Sequence, residues 1–181
     1  MATNAPLSSI MLQIAGVGGA AWLSGNIGGL SLLAVPALDQ SRREDYVPAR
    51  TLAVQWKRLY DKGAAQNPPI AIGIAAILSY LAWSADSTVR LGLASQRQLY
   101  IASVALTMGI VPWTLIIMAN TNGALYKKAR KVLSLQKGSS EWSATDDEEV
   151  SDLLSTWNLL NGLRSLLPLL GFAAGAIAAL A

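Results

Sequence analysis

The chain has 181 residues, of which 52% are hydrophobic and only 14% charged, and its formal net charge is +3. Soluble domains carry about 25% charged residues, so this composition predicts a small integral membrane protein with a single domain over residues 1–181. The chain contains neither cysteine nor histidine. Their absence excludes disulfides, thiolate nucleophiles, iron–sulfur clusters, haem held by His or Cys, and the usual zinc and copper sites.

The first apolar segment runs from about residue 8 to residue 35 and is rich in glycine. It is too long for the core of a signal peptide, and no basic residue precedes it, so we predict an uncleaved membrane span. Its glycines allow close approach of another helix or a local break. Pro36 and the charged residues after it are predicted to end the span.

A polar segment with helical periodicity follows the first span. Its apolar face carries Leu52, Trp56, Leu59 and Tyr60, and its polar face carries Arg50, Lys57, Arg58 and Asp61. The pattern predicts a short amphipathic helix at the membrane interface, between the first two spans. Gly63 and the run Asn67-Pro68-Pro69 are predicted to end this helix.

Two further apolar segments predict a second span over about residues 69–86 and a third over about residues 98–119. Pro112 should kink the third span, with Thr114 or a neighbouring helix satisfying the backbone groups that the proline leaves unpaired. A second long polar segment follows, basic at first and acidic later. Thr145 and Glu148 are spaced as a capping box, which favours a capped helix start over a divalent-ion site for the acidic run.

The fourth apolar segment, about residues 156–180, contains Arg164. A cation inside a membrane helix is costly and usually faces a partner, a cavity or a substrate. By their spacing, Trp157, Asn161 and Arg164 share one helix face. Two interpretations of Arg164 are open: it either snorkels to the cytoplasmic interface or faces a cavity among the helices.

Taken together, the four spans predict an all-α membrane protein, a four-transmembrane-helix bundle. Basic residues are concentrated after the first and third spans, whereas the segment after the second holds only Arg90 and Arg97. The positive-inside rule puts the two basic segments in the cytoplasm, so both termini are predicted to face the lumen or the exterior. Because the basic residues lie between apolar spans, membrane lipid and not nucleic acid is their expected neighbour.

Several aromatic and amide side chains are candidates for binding a flat substrate. Four aromatic residues either line a pocket for a planar molecule or belong to the interfacial belt and the core: Trp56, Tyr60, Trp83 and Trp113. Trp56 and Tyr60 are the stronger candidates, because they share a helix face directed at the other helices. Asn122, beside Gly123, is either a helix C-cap or an amide at the rim of the cavity that Arg164 would face.

At these residues the chain resembles the fungal anthrone oxygenase family, which consists of small four-span membrane proteins of aromatic polyketide pathways. Four motifs carry the resemblance in chain order: Gln55-Trp56 with Tyr60 and Gly63 before Pro68; Val111-Pro112-Trp113-Thr114; Met118 with Thr121-Asn122; and Trp157, Asn161, Arg164, Pro168 and Gly171. No single motif is highly specific, but the ordered set is, and it extends over nearly the whole chain.

The resemblance implies that the protein oxidises an anthrone to an anthraquinone with dioxygen and without a metal or flavin cofactor. Arg164 would then stabilise an oxyanion of the substrate, at a position where one such donor contributes ~3 kcal/mol. Asn161 and Asn122 would orient the substrate's oxygen atoms. Trp157 and Trp56 would stack on its rings.

The resemblance leaves the general base open, since either Tyr60 or Asp61 could serve. It implies a small aromatic polyketide and dioxygen as the reacting partners, and an endomembrane such as the endoplasmic reticulum as the location. Two other functions compete with it. The first is a non-catalytic membrane carrier or a scaffold that recruits pathway enzymes through its basic segments, and the second is another oxidation or rearrangement within the same family.

Overall fold

The computed structural model describes residues 6–86, 88–92, 94–135 and 141–180. Four helical stretches in it are long and apolar enough to cross a membrane: Leu7–Glu44, Ala49–Ser84, Gln96–Ile117 and Ala144–Ala179. The only strands in the described residues are a two-residue antiparallel pair, β1 (Arg90–Leu91) with β2 (Ala94–Ser95). The prediction of an all-α membrane protein with four spans is confirmed.

The first span is longer than predicted. Helix α1 (Leu7–Gly29) passes through a π-helical segment, π1 (Leu30–Ala34), into helix α2 (Val35–Glu44). Pro36 therefore does not end the helix: it lies in the first turn of α2, directly after π1, and neighbouring groups can satisfy the carbonyl that it leaves unpaired in a membrane helix. The wider π turn in π1 follows directly after the glycines at the end of α1.

Helix α3 (Ala49–Ser84) joins the predicted amphipathic helix and the second span in one element of 36 residues. The predicted stop at Gly63 and Asn67-Pro68-Pro69 is therefore wrong, and both prolines lie inside the helix. Proline is tolerated within membrane helices because neighbouring groups satisfy the carbonyls that it leaves unpaired. Leu52 and Trp56 are buried and Arg50 and Arg58 are exposed, in agreement with the predicted faces, whereas the other four residues of these faces are all partly buried. Placement of this segment at the membrane interface stays a prediction.

The third span is interrupted where the proline was predicted to act. Helix α4 (Gln96–Met108) is followed by a single short turn, α5 (Ile110–Pro112), and by a second π-helical segment, π2 (Trp113–Ile117). The N–H of Met118 bonds to the carbonyl of Trp113 at 3.1 Å, which closes the wide turn. Helix α6 (Ala119–Leu135) then occupies the start of the segment predicted as polar.

Helix α7 (Ala144–Ala179) contains the acidic run and the fourth span in one element. Its capping box is not Thr145 with Glu148, as predicted, but Ser143 with Asp146. The hydroxyl of Ser143 accepts the Asp146 N–H at 3.3 Å, and the Asp146 carboxylate accepts the Ser143 N–H at 2.9 Å. The same carboxylate binds Lys128 and Lys131 of α6, each at 2.6 Å, and these ion pairs fix the cap two residues earlier.

The chain divides into two compact units, each built from several segments. The first contains the chain up to Asn26, residues 67–112 and the chain from Ser165 onward. Within it, Gly171 of α7 lies against α4, and the hydroxyl of Ser103 donates a 2.6 Å hydrogen bond to its carbonyl. Gly171 and Gly175, four residues apart on α7, both lie at this point of close helix approach.

The second unit contains residues 27–66 and 113–164. Its core is a cluster of buried side chains from α2, α3, α6, α7 and the turn before α6: Val35, Ala49, Leu52, Ala53, Trp56, Met118, Leu125, Ala129, Val150, Leu154 and Trp157. The seven predicted site residues lie in this unit. The interpretation of the whole chain as one domain stays a prediction.

Large apolar side chains also cover much of the outer surface of the spans. Examples are Leu32, Trp83 and Ile116, which are 76%, 75% and 74% exposed. A soluble protein rarely exposes apolar side chains on this scale, whereas a protein surrounded by lipid does so as a rule.

Candidate active site

The seven predicted site residues all lie in the second unit, on three helices and one π-helical segment. They are Trp56 and Tyr60 on α3, Trp113 on π2, Asn122 on α6, and Trp157, Asn161 and Arg164 on α7. The network consists of two groups of contacts, one that joins Trp56, Tyr60, Asn122 and Trp157 and one that joins Asn161 to Arg164, and Trp113 bonds separately to the same part of α7.

Arg164 is a partly buried cation whose hydrogen-bond partners, Thr114 and Asn161, are neutral. Its Nη1 donates to Oγ1 of Thr114 at 2.7 Å, and its Nη2 donates to Oδ1 of Asn161 at 2.7 Å. Its Nε–H is buried without a hydrogen-bond partner. In the described part of the chain no carboxylate forms an ion pair with it. The guanidinium is therefore held in place with its charge uncompensated, as a site for an anion requires.

Asn161 fixes the position of this cation. Its side chain is fully buried, and its Nδ2 donates to the Ile27 carbonyl at 2.9 Å and to Oγ of Ser31 at 2.8 Å. Both donors of the amide are thereby used within the protein, so its oxygen is directed at Arg164. The hydroxyl of Ser31 in turn donates to the Asn158 carbonyl at 3.0 Å.

Trp157 and Asn122 connect α7 to α6. The indole Nε1 of Trp157 donates to Oδ1 of Asn122 at 2.9 Å, and both side chains are buried. Asn122 lies inside α6, and its own N–H bonds to the Met118 carbonyl at 2.9 Å. The interpretation of Asn122 as a C-cap is therefore wrong, because the chain continues as helix beyond Gly123.

Four aromatic rings of this unit contact one another in a row. Trp157 meets Trp56 edge-on at 5.9 Å between ring centroids, and Trp56 stacks on Tyr60 at 5.1 Å. Tyr60 meets Tyr126 edge-on at 6.2 Å. Trp56 is 0% exposed and Trp157 is 2% exposed, whereas Tyr60 is half-buried. In this structure only Tyr60, of these three predicted residues, presents part of its ring to the outside.

Trp113 is placed differently from the other predicted tryptophans. Its Nε1 donates to the Leu160 carbonyl at 3.2 Å, and its ring packs against the core of the second unit. Trp113 lies beside Thr114, the partner of Arg164.

An open groove of about 590 Å³ lies beside these residues. Its lining combines two predicted site residues with charged and aromatic neighbours: Tyr60, Asp61, Ala64, Asn122, Gly123, Tyr126, Lys127 and Arg130. Asp61 accepts hydrogen bonds from Lys57 at 2.5 Å and from the Tyr126 hydroxyl at 3.0 Å. Tyr60 stacks on Trp56 and Asn122 binds Trp157, so the groove borders the buried aromatic part of the network.

Sequence reasoning missed three residues of this network. Thr114 was expected only to satisfy backbone groups after Pro112, yet it binds Arg164. Ser31 and Tyr126 were not singled out. Ser31 is a lone polar residue in an apolar stretch, and Tyr126 lies one helical turn after Asn122, so their positions were the available signals.

In the described residues, no group of three or more acidic side chains could hold a metal ion. The acidic run at the start of α7 is engaged in its cap and in ion pairs to α6, as Asp146 illustrates. The chemistry of the network therefore comes from one cation, several amides and hydroxyls, and a row of aromatic rings.

Known proteins of one family match this chain. The family model described as anthrone oxygenase matches residues 56–174. This range begins at Trp56 and includes all seven predicted site residues. No solved structure matches the chain.

Individual relatives agree with the family match. The anthrone oxygenase encC of Aspergillus fumigatus is 37% identical over 175 residues, which cover 94% of this chain and 93% of that protein. The anthrone oxygenase ptaC of Pestalotiopsis fici is 36% identical over 79% of this chain and 92% of its own. A noranthrone monooxygenase of Aspergillus flavus is 30% identical over 85% of this chain and 66% of its own. The chain therefore belongs to the anthrone oxygenase family.

Proposed function

We propose that this protein is an anthrone oxygenase, which converts an anthrone to an anthraquinone with dioxygen and without a metal or flavin, in the biosynthesis of a fungal aromatic polyketide. The names of its relatives support an oxygenase acting on anthrones. The observation that carries the proposal is the uncompensated Arg164 guanidinium, held by Thr114 and Asn161.

The chemistry needs only the substrate and dioxygen. The central methylene of an anthrone lies between two aryl rings and is conjugated with the ketone, so loss of one proton gives a delocalised, phenolate-like carbanion. This anion passes one electron to dioxygen, and the resulting radical and superoxide combine to a peroxide. Protonation gives a hydroperoxide, which loses water to form the second carbonyl. Anthrone and dioxygen thus yield anthraquinone and water, with all atoms accounted for.

In this proposal Arg164 stabilises the substrate oxyanion as the proton is lost. Asn161 holds the guanidinium, and Asn122 orients a carbonyl or hydroxyl of the substrate from the groove. Tyr60 lies at the groove, and we assign its phenolate the role of general base, with Asp61 as the alternative. Asp61 is the weaker choice because Lys57 and Tyr126 already occupy its oxygens.

The aromatic residues form the wall for the flat substrate. Trp56 and Trp157 are buried behind Tyr60, so we propose that Tyr60 makes the first ring contact and that the two indoles support it. Stacking of the substrate directly on Trp56 or Trp157 requires Tyr60 to move aside. Trp113 is proposed to shape the site through its position next to Thr114.

The carrier and scaffold interpretations are less well supported, because the named relatives are oxygenases. We further propose that the protein is a single multi-pass domain in an endomembrane such as the endoplasmic reticulum, with lipid around the spans. Its basic segments would face the cytoplasm and its termini the lumen, as the positive-inside rule requires.

The experiment uses membranes from a host that expresses the protein, supplied with emodin anthrone with and without dioxygen and with a chelator present. Oxygen-dependent formation of the anthraquinone above the spontaneous rate, undiminished by the chelator, supports the proposal. A rate equal to that of empty membranes contradicts it for this substrate, and a ligand-binding screen against other anthrones would then decide between a different substrate and a carrier.

A further inference from the structure

A largely apolar groove of about 370 Å³ lies between α3 and α4 in the first unit. It is lined by three residues of each helix: Ser79, Ala82 and Trp83 of α3, and Arg97, Ile101 and Val104 of α4. Their spacings of three and four residues put each set on one helix face. Trp83 is 75% exposed and Ile101 is 54% exposed, so large apolar surfaces in this groove are open to a ligand.

Arg97 also belongs to a polar recess next to the groove. This recess has a volume of about 410 Å³ and is lined by Thr88, Arg90, Ser95, Arg97 and Gln98. Since Arg97 lies in the first turn of α4 and Val104 two turns later, the groove extends about 10 Å along the span from the arginine. A polar, cationic end and an apolar trough therefore meet at Arg97, at the end of a membrane span.

The charges at this end of the groove favour an anion. Nη2 of Arg97 donates to the Ala85 carbonyl at 3.0 Å, which holds the guanidinium at the end of α3. No carboxylate among the described residues forms an ion pair with Arg97. Asp86 attracts it only at longer range, and one oxygen of Asp86 accepts the N–H and the hydroxyl of Thr88, each at 2.8 Å. Arg90 adds a second cation to the recess, so two arginines outnumber the one nearby acid.

We propose that the groove and the recess together bind one glycerophospholipid, with its phosphate at Arg97 and Arg90 and one acyl chain along Trp83, Ile101 and Val104. Arginine suits a phosphate because its planar guanidinium donates two parallel hydrogen bonds, and basic pockets between membrane helices bind lipid headgroups. Free phosphate would leave the apolar groove uncovered, and a neutral apolar molecule would leave the arginines without an anion. The bound lipid joins the end of α3 to the start of α4, and this inference does not depend on the proposed function.

The test uses the full chain in a nonionic detergent, titrated with phosphatidylglycerol that carries brominated acyl chains, which quench the fluorescence of a nearby indole. The difference between the wild type and Trp83→Phe isolates the signal of Trp83. We expect this signal to saturate at a low mole fraction of lipid. Brominated diacylglycerol, which has no phosphate, should quench Trp83 only in proportion to its mole fraction. Trp22, which is 49% exposed on α1 outside the groove, is the control indole and should behave that way with both lipids.

Arginine variants test the phosphate contact. Arg97→Gln and Arg90→Gln should each raise the lipid mole fraction that gives half of the Trp83 quenching by about tenfold, the effect of losing a hydrogen bond to a charged group. Arg90→Gln leaves the bond from Arg97 to the Ala85 carbonyl in place, so its result is independent of any loosening of that turn. Arg58→Gln is the matched control, because it removes an exposed arginine of α3 outside the groove and the recess.

Three outcomes overturn the inference. Equal quenching of Trp83 by the phospholipid and by diacylglycerol would show that the groove is ordinary lipid-facing surface. An unchanged midpoint in both arginine variants would show that the recess does not bind the phosphate. A dimer in detergent that Trp83→Ala dissociates, with no saturable quenching of Trp83, would show that a second copy of the chain covers the groove.

Discussion

Arg164 and Asn161 lie one turn apart on α7 and are joined by a 2.7 Å hydrogen bond from Nη2 to Oδ1. The amide that accepts this bond uses both of its own donors on Ile27 and Ser31. The cation is therefore oriented by a neutral group that is itself fixed, and its charge is not cancelled. Preorganised donors of this kind stabilise a developing anion without having to reorganise during the reaction.

Replacing Arg164 with glutamine should abolish most of the activity while the protein still inserts and folds. Glutamine retains hydrogen-bonding capacity but has no charge, so the oxyanion loses its main stabilising group, a loss of about 100-fold or more in kcat. The rate of anthrone oxidation by the purified protein, after subtraction of the spontaneous rate, measures this loss in kcat. Arg58→Gln is the control, because Arg58 is an exposed arginine of α3. Full activity of Arg164→Gln would favour the snorkelling interpretation.

Thr114 should act as a positioning residue for the same cation. Thr114→Val keeps the shape of the side chain but removes the oxygen that accepts from Nη1 of Arg164. We expect kcat to fall about tenfold, the scale of a hydrogen bond to a charged group, with little change in KM. Thr114→Ser keeps the hydroxyl and should restore kcat. A valine variant with the kcat of the wild type would show that this hydrogen bond has no part in catalysis.

How much of this site follows from the sequence depends on the kind of contact. The shared face of Trp157, Asn161 and Arg164 follows directly from helical spacing, and the structure joins Asn161 to Arg164 as that spacing allows. The contact of Arg164 with Thr114 crosses from α7 to π2. Its geometry depends on the wide turn after Pro112, which local periodicity does not encode.

Helix ends were predicted less well than helix faces. A proline inside a helix leaves a carbonyl unpaired and clashes with the preceding turn, and both effects destabilise the helix. Helix α3 nevertheless continues through Pro68 and Pro69, as membrane helices can when neighbouring groups satisfy the freed carbonyls. The cap of α7 lies two residues earlier than predicted because of contacts with another helix. Asp146 gains ion pairs from Lys128 and Lys131 of another helix, and no local motif contains that information.

A double-mutant cycle should show that Trp157 and Asn122 stabilise the fold as a pair. Asn122→Ala leaves the buried indole N–H without an acceptor, which costs about 1–3 kcal/mol of unfolding free energy. Trp157→Phe removes the donor, so Asn122→Ala should be less costly in that background by about 1 kcal/mol or more. Chemical denaturation in a single detergent gives the free energy of unfolding of the wild type, the two single variants and the double variant. Strict additivity would mean that the hydrogen bond contributes nothing to stability.

Gly171→Ala should destabilise the protein by overpacking α4 against α7. A Cβ at Gly171 would lie 2.8 Å from Oγ1 of Thr107 and 3.1 Å from the backbone oxygen of Ser103. Both neighbours are 0% exposed, so they have no open space into which to move. Overpacking of this kind typically costs about 1–3 kcal/mol.

The control for this prediction is Gly73→Ala on α3, where no atom lies within 4 Å of the added Cβ. Alanine favours a helix over glycine by about 1 kcal/mol, so this variant should be as stable as the wild type or slightly more stable. Thermal unfolding of the purified proteins in the same detergent compares the two. If Gly171→Ala were as stable as Gly73→Ala, α4 would have to move away from α7 without cost, and Ser103 would then lose its short bond to the Gly171 carbonyl.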